Sequence, residues 1–261
     1  MREMASLHTR WAAESTGQSF APVGPDCKLQ RPLHLKGLGR RLALWVALAL
    51  GYAHLAAGAE LGPLLDQWIA AQTNLHTWSA DAVQTRSIKT LSEPLVSTGK
   101  VWVVVPDRFR WELGQPAQTI ALRRPDQLFL IYPKLKRVEK YALDAKQPGP
   151  MRDALALLEA SFPRSRADLE ARFRVLSMTQ TNAVVHLLLQ PKSASARKFV
   201  SGLEVAFSVN GFSPVSTELR FSDGSSMRND FSHAVVNQPL DEGLFDVKLG
   251  PGFTVVEPLR Q

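Results

Sequence analysis

The chain has 261 residues, of which 45% are hydrophobic and 21% charged, the balance of a folded protein rather than a disordered one. A single Cys cannot close an internal disulfide, and 16 Gly are too few for a collagen repeat. The 31 basic and 24 acidic residues leave a net charge of +7, which taken whole invites a nucleic-acid or anionic-membrane partner.

That average covers two unlike pieces. Arg31, Lys36, Arg40 and Arg41 precede an apolar run that starts at Leu42 and continues without formal charge to Ala59. It closes in Ala57-Gly58-Ala59, small residues at the positions a signal peptidase reads, followed by Glu60. Basic flank, short apolar run and A-x-A-like end predict a secretory signal peptide over residues 1–59, with residues 1–30 an atypically long leader. An uncleaved anchor fits less well. Leu42–Ala59 is 18 residues long and contains Gly51 and Gly58, whereas a span takes about 20 apolar residues. The leader holds 7 of the basic and 3 of the acidic residues, so residues 60–261 keep 24 and 21, a net charge of +3. They contain no cysteine, which suits an oxidising compartment. With the leader gone, no nucleic-acid partner is expected.

Leu61, Leu64, Leu65, Trp68 and Ile69 fall at i, i+3, i+4, i+7 and i+8, which predicts an amphipathic helix over Leu61–Leu75. From Thr77 the period falls to two. Strands are expected over Thr77–Ile88, Gly99–Val105, Arg108–Leu113, Thr119–Leu122, Gln127–Tyr132 and Leu135–Tyr141. Pro94, Pro106-Asp107, Gly114-Gln115-Pro116, Pro125-Asp126 and Pro133 punctuate them. The cleanest alternation is Arg108–Leu113, with charge on one face and Phe109, Trp111 and Leu113 on the other.

A helical insert follows, because Met151, Leu155, Leu158 and Phe162 form an apolar stripe along Met151–Phe162, opened by Pro150 and ended by Pro163. Ala167–Phe173 adds a short helical turn. Strands resume at Ala183–Leu189 and Leu203–Val209. Asn210-Gly211 and Asp223-Gly224 are hairpin dipeptides, the second joining Thr217–Phe221 to Met227–Ser232. Leu240–Phe245 reads as one helical turn before a last strand, Phe253–Val256. The fold class is α+β: a long antiparallel meander that must twist and curl, with helices closing over its concave side. Periodicity leaves open whether the interior is hollow, and a filled core is the simpler reading.

Catalytic signatures are missing. Residues 60–261 carry three histidines, His76, His186 and His233, and no G-x-S-x-G, P-loop, G-x-G-x-x-G or H-E-x-x-H. No catalytic residue, metal ligand or cofactor is assigned, and the chain does not read as an enzyme. Asp66 near a helix start and Asp223 in a hairpin tip have structural explanations. The basic run Lys134, Lys136, Arg137 and Lys140 alternates with Leu135, Val138 and Tyr141. It is either the solvated face of a strand or a docking patch for an acidic partner or anionic headgroups.

In order, these landmarks resemble the LolA-type lipoprotein carriers of the LolA/RseB-like superfamily. The likeness rests on the exported leader and first helix, then on Gly99-Lys100-Val101-Trp102-Val103-Val104-Val105-Pro106-Asp107-Arg108-Phe109-Arg110-Trp111-Glu112. It continues in Gln127-Leu128-Phe129-Leu130-Ile131-Tyr132-Pro133-Lys134, Leu219-Arg220-Phe221-Ser222-Asp223-Gly224 and Pro251-Gly252-Phe253-Thr254-Val255-Val256. The resemblance implies an incomplete, half-open antiparallel β-barrel over residues 60–261, with helices forming a lid over an apolar cavity. It implies a cofactor-free periplasmic monomer that takes acylated lipoprotein or lipid cargo from an inner-membrane donor complex to an outer-membrane acceptor.

Phe109 falls at the family's Phe after the proline, and Trp111 at its nearby Trp. Strand alternation then sets Val101, Val103, Val105, Phe109 and Trp111 along one wall of the cavity. Leu65, Trp68 and Ile69, with Leu155 and Leu158, would form the lid. One departure is Val105, where the family usually has an Arg that hydrogen-bonds into the lid. Closure is then expected to rest on apolar contact alone, as in a divergent paralogue serving a specialised lipid or glycolipid. The alternative is an RseB-like lipid sensor that binds an anti-sigma partner; such sensors carry a further C-terminal domain. An esterase on a similar sheet lacks a nucleophile motif here.

Overall fold

The computed structural model describes residues 62–143 and 150–258; the expected signal peptide and Leu61 lie outside them. Helix α1 spans residues 62–73, with Pro63 in its first turn, where a missing N–H is harmless. Leu65, Trp68, Ile69 and Gln72 are its buried side chains, at the spacing of one helix face.

Six strands follow: β1 (Thr77–Ser87), β2 (Leu95–Val104), β3 (Arg108–Leu113), β4 (Thr119–Arg124), β5 (Gln127–Tyr132) and β6 (Arg137–Ala142). Helices α2 (Pro150–Glu159) and α3 (Arg166–Arg172) form the insert. The Ser165 hydroxyl caps α3 by accepting from the Asp168 N–H. Five more strands are β7 (Phe173–Thr181), β8 (Val184–Pro191), β9 (Val200–Ser208), β10 (Pro214–Phe221) and β11 (Ser226–Val236), with a short helix α4 (Ala194–Arg197) between β8 and β9. A 3-10 turn over Glu242–Phe245 precedes β12 (Thr254–Val256).

All twelve strands belong to one open sheet in the order β12-β6-β5-β4-β3-β2-β1-β11-β10-β9-β8-β7. The centre is the antiparallel pairing of β1 with β11, Trp78 opposite Val236 and Gln84 opposite Asn229. The expected half-open barrel with helices over its concave face is the architecture observed. The sheet departs from a pure antiparallel meander at one edge, where β12 runs parallel to β6. The chain reaches that edge by crossing the outer face. Leu240, Leu244, Val247 and Phe253 pack there with Phe245 on Leu122, Phe129, Ile131 and Val138.

Strand β7 was not predicted from the sequence. It is an edge strand with a register shift between Val175 and Ser177, so its alternation is interrupted, and Leu176 is 47% exposed. The expected strand Leu135–Tyr141 is also corrected. Pro133–Leu135 is a 3-10 turn, Lys136 takes a left-handed φ of 48°, and β6 begins only at Arg137. Pro133 starts that turn because its φ is fixed and it has no N–H for a ladder.

Two apolar clusters of the concave face receive the helices, and a third, around Trp78, Ala80 and Val101, lies between them. Beneath β8–β10, α1 inserts Leu65, Trp68 and Ile69 among Val185, Leu187, Leu189, Leu203, Val205 and Phe207. Trp68 is fully buried and stacks flat on Phe207 at 4.5 Å. Beneath β3–β6, Leu155 of α2 meets Phe109, Leu128, Leu130, Tyr132 and Tyr141. Leu157 of α2, which points about 200° away from Leu155 around the helix, joins the first cluster instead. Helix α2 is therefore wedged between the two halves of the sheet.

Candidate functional site

The wedge leaves a cleft along the middle of the concave face. Strand register builds one wall: Val101 lies opposite Trp111 and Val103 opposite Phe109, with their side chains on the inner face. Val101, Val103, Val105, Phe109 and Trp111 all line the cleft, and Leu158 of α2 lines it from above. Its base is aromatic. Trp78, 1% exposed, donates from Nε1 to Ser213 Oγ at 2.9 Å and meets Phe162 and Phe231 edge-on at 5.5 and 5.2 Å. Trp111 lies 5.9 Å from Phe231. The free space available to water-sized spheres is about 80 Å³, room for only a handful of waters.

Of the ten residues assigned to the cavity from sequence, six line the cleft and four do not. Leu65, Trp68 and Ile69 are corrected from lid to core: they fill the β8–β10 half and do not reach the cleft. An amphipathic stripe says that a face is buried but not which strands bury it, and α1 lies inside the curl. Leu155 packs on the back of Phe109, beside the cleft rather than on its lining.

Sequence reading missed the polar part of the site. Glu159, at the end of α2, accepts from Arg123 of β4 and, at 3.0 Å, from Arg172 of α3. Arg172 also bonds Asp168 one turn away on α3. All three of Arg123, Glu159 and Arg172 line the cleft, and Arg164 lies beside them. The expectation that closure rests on apolar contact alone is thereby corrected: an ion-paired clasp ties α2 to β4 and α3, although the Val105 side chain has no donor. No periodicity signals such a pair, because Arg123 and Glu159 lie 36 residues apart.

On the base, Asn229 donates to Thr217 Oγ1 and Gln84 donates to Asn229 Oδ1, both at 3.0 Å. These bonds satisfy amides that would otherwise be costly to bury. At the rim, Arg108 pairs with Glu242, which holds the Glu242 carboxyl below the usual glutamate range and keeps the guanidinium charged to still higher pH.

The basic run assigned to docking does not form one face. Lys134 and Lys136 are exposed on the 3-10 turn, Arg137 pairs with buried Glu139 at 2.9 Å, and Lys140 pairs with Glu257 at 3.3 Å. Among the described residues no group of three or more His, Cys, Asp or Glu is placed to hold a metal ion. No helix among them is long and apolar enough to cross a membrane.

Residues 73–248 match the family described as outer membrane lipoprotein carrier protein LolA. No curated protein matches the sequence. Among solved structures, an uncharacterized conserved protein from Thermus thermophilus is similar with 9% identity and a TM-score of 0.46, over 76% of this chain and 99% of that one. The MucA/MucB complex of Pseudomonas aeruginosa is similar with 16% identity and a TM-score of 0.40, over 72% of this chain and 61% of that one. The Mycobacterium tuberculosis lipoprotein LppX is similar with 9% identity and a TM-score of 0.36, over 70% and 98%.

Proposed function

The chain belongs to the LolA family of outer membrane lipoprotein carriers, and from that premise we propose that it binds acyl chains in the cleft and carries them through the periplasm toward the outer membrane. The observation that carries this reading is the cleft itself, walled by Val101, Val103, Phe109 and Trp111 and roofed by the wedged helix α2. Each methylene moved from water onto such walls is worth about 0.8 kcal/mol, so a long chain is held without any covalent step. The free space is about 80 Å³, and α2, which roofs it, is the element whose displacement would enlarge it for a long chain.

Leu155 and Leu158 hold α2 on one side and Ala156 and Leu157 on the other, Asp153 accepts from Ser193 and Ser195, and the Glu159 clasp fastens its end. Cargo would arrive as acylated lipoprotein, or a related lipid or glycolipid, from an inner-membrane donor. An outer-membrane acceptor would then compete for the same acyl chains. The exposed Lys134 and Lys136 are the part of the basic run open to such partners.

Native mass spectrometry of the protein purified from the periplasm tests the proposal, with Phe109→Glu as the matched variant. Phe109 is 8% exposed and lies opposite Val103 and Arg123, so a carboxylate there disrupts the apolar wall. Bound acyl species in the wild type, lost in the variant, are expected. A wild-type protein that carries no acyl species, and binds none when offered, would overturn the carrier reading.

A further inference from the structure

The cleft is apolar along its walls but cationic at one end. Arg123, Arg164 and Arg172 line it together, and Glu159 is the one carboxylate among its lining residues. Arg123 and Arg172 share that carboxylate, with Asp168 as a second partner for Arg172 alone. Arg164 makes no ion pair among the described residues.

Two donors on the lining are also unmet. Trp111 Nε1 and Arg123 Nε are buried without a hydrogen-bond acceptor, and native proteins rarely leave such groups unpaired. Both belong to one neighbourhood: Trp111 lies opposite Ala121, and Arg123 is two residues further along the same face of β4. Surplus guanidinium charge and unmet donors together call for a ligand rich in anionic oxygen. Arginine forks match such oxygens in pairs.

Resting on the acyl-carrier reading of the same cleft, we propose that the cargo carries an anionic oxygen headgroup, of the phosphate or carboxylate kind, seated on Arg123, Arg164 and Arg172 with Trp111 Nε1 as a neutral donor. The headgroup takes the place of Glu159 on Arg123 and Arg172. Seating the headgroup and releasing α2 are then one event, since the carboxylate displaced is the one that fastens that helix. The acyl chain lies beyond, between Phe109 and Phe231.

The test is displacement of a fluorescent acyl probe from the full chain at low salt by oleoyl-lysophosphatidate, by monooleoylglycerol with the same chain, and by inorganic phosphate. Lysophosphatidate is expected to compete about tenfold better than monooleoylglycerol, the worth of a charge-assisted contact. Arg164→Gln, which breaks no ion pair, should narrow that gap, and Glu159→Gln should widen it. Inorganic phosphate should leave the probe in place.

Equal competition by the two lipids would overturn the headgroup assignment while leaving acyl carriage standing. Displacement by inorganic phosphate alone would replace a lipid headgroup with a free-ion site and overturn it as well. Failure of both lipids and of the probe itself to bind would remove the carrier reading too. A gap unchanged in both Arg164→Gln and Glu159→Gln would locate the preference elsewhere and overturn this site.

Discussion

Replacing Trp68 with Ala asks whether α1 is a movable cover or part of the core. The indole is fully buried and lies parallel to Phe207 at 4.5 Å. Burying about 200 Å² at about 25 cal/mol per Å² gives roughly 5 kcal/mol as an upper figure. Its Nε1 is buried without an acceptor, and removing an unmet donor returns about 1–3 kcal/mol. The expected loss is therefore about 3 kcal/mol, near the low end for Trp→Ala in a core. With a urea m-value of roughly 2–3 kcal/mol/M, the unfolding midpoint should fall by about 1 M. Equilibrium urea unfolding followed by circular dichroism measures this directly. Acyl-probe affinity of the still-folded variant should stay within about threefold of wild type, because a 1.4 kcal/mol change would already be tenfold. A stability loss below about 1 kcal/mol would refute the placement of Trp68 in the core. A tenfold loss of probe affinity would return α1 to the site.

Gly99→Ala should lower the melting temperature by more than about 4 °C in a thermal scan, since a Cβ at half-buried Gly99 would meet the Glu112 carbonyl oxygen at 1.9 Å and forced backbone shifts cost about 1–3 kcal/mol. Glu159→Ala should cost about 1–2 kcal/mol, discounted because Glu159 and Arg172 are 28% and 33% exposed. Hydrogen exchange should show faster opening of α2 in that variant with β8 and β9 unchanged, and undisturbed α2 protection would refute the clasp. The depressed Glu242 carboxyl implies that its pairing with Arg108 is present at neutral pH and lost as pH falls through the folded-state value. In an NMR titration, Arg108→Gln should raise the Glu242 midpoint into the ordinary range.

Sequence patterns reached most of the local structure because local structure is what they encode. The spacing of Leu65, Trp68 and Ile69 placed a helix, and the alternation of Phe109, Trp111 and Leu113 placed a strand with its inner face correctly chosen. Three kinds of feature escaped. The bulged edge strand β7 escaped because an edge has little buried surface to enforce a period. The docking of α1 beneath β8–β10 escaped because an apolar stripe is equally satisfied by any apolar partner. The Arg123–Glu159–Arg172 clasp escaped because charged residues with no partner in sequence look like surface residues until the fold brings them together. Val105 was legible as a departure from the family pattern, but its compensation lay on other elements.

The central seam of the sheet joins two segments far apart in the chain. Strand β1 has β2 on one side and β11 on the other, and its partner for Trp78 is Val236. No stretch of chain holding only the first six strands can complete this seam. The loop that must close to form it spans most of the chain, so the entropic toll falls before the contacts that reward it exist. A chain with this topology is a slow folder by its connectivity, on the millisecond-to-second scale of β-rich proteins. Strands β1–β6 and β7–β11 can each pair with sequence neighbours, but the cleft, lined by Val101 and Phe109 from one set and Leu203, Leu219 and Phe231 from the other, exists only once β1 meets β11.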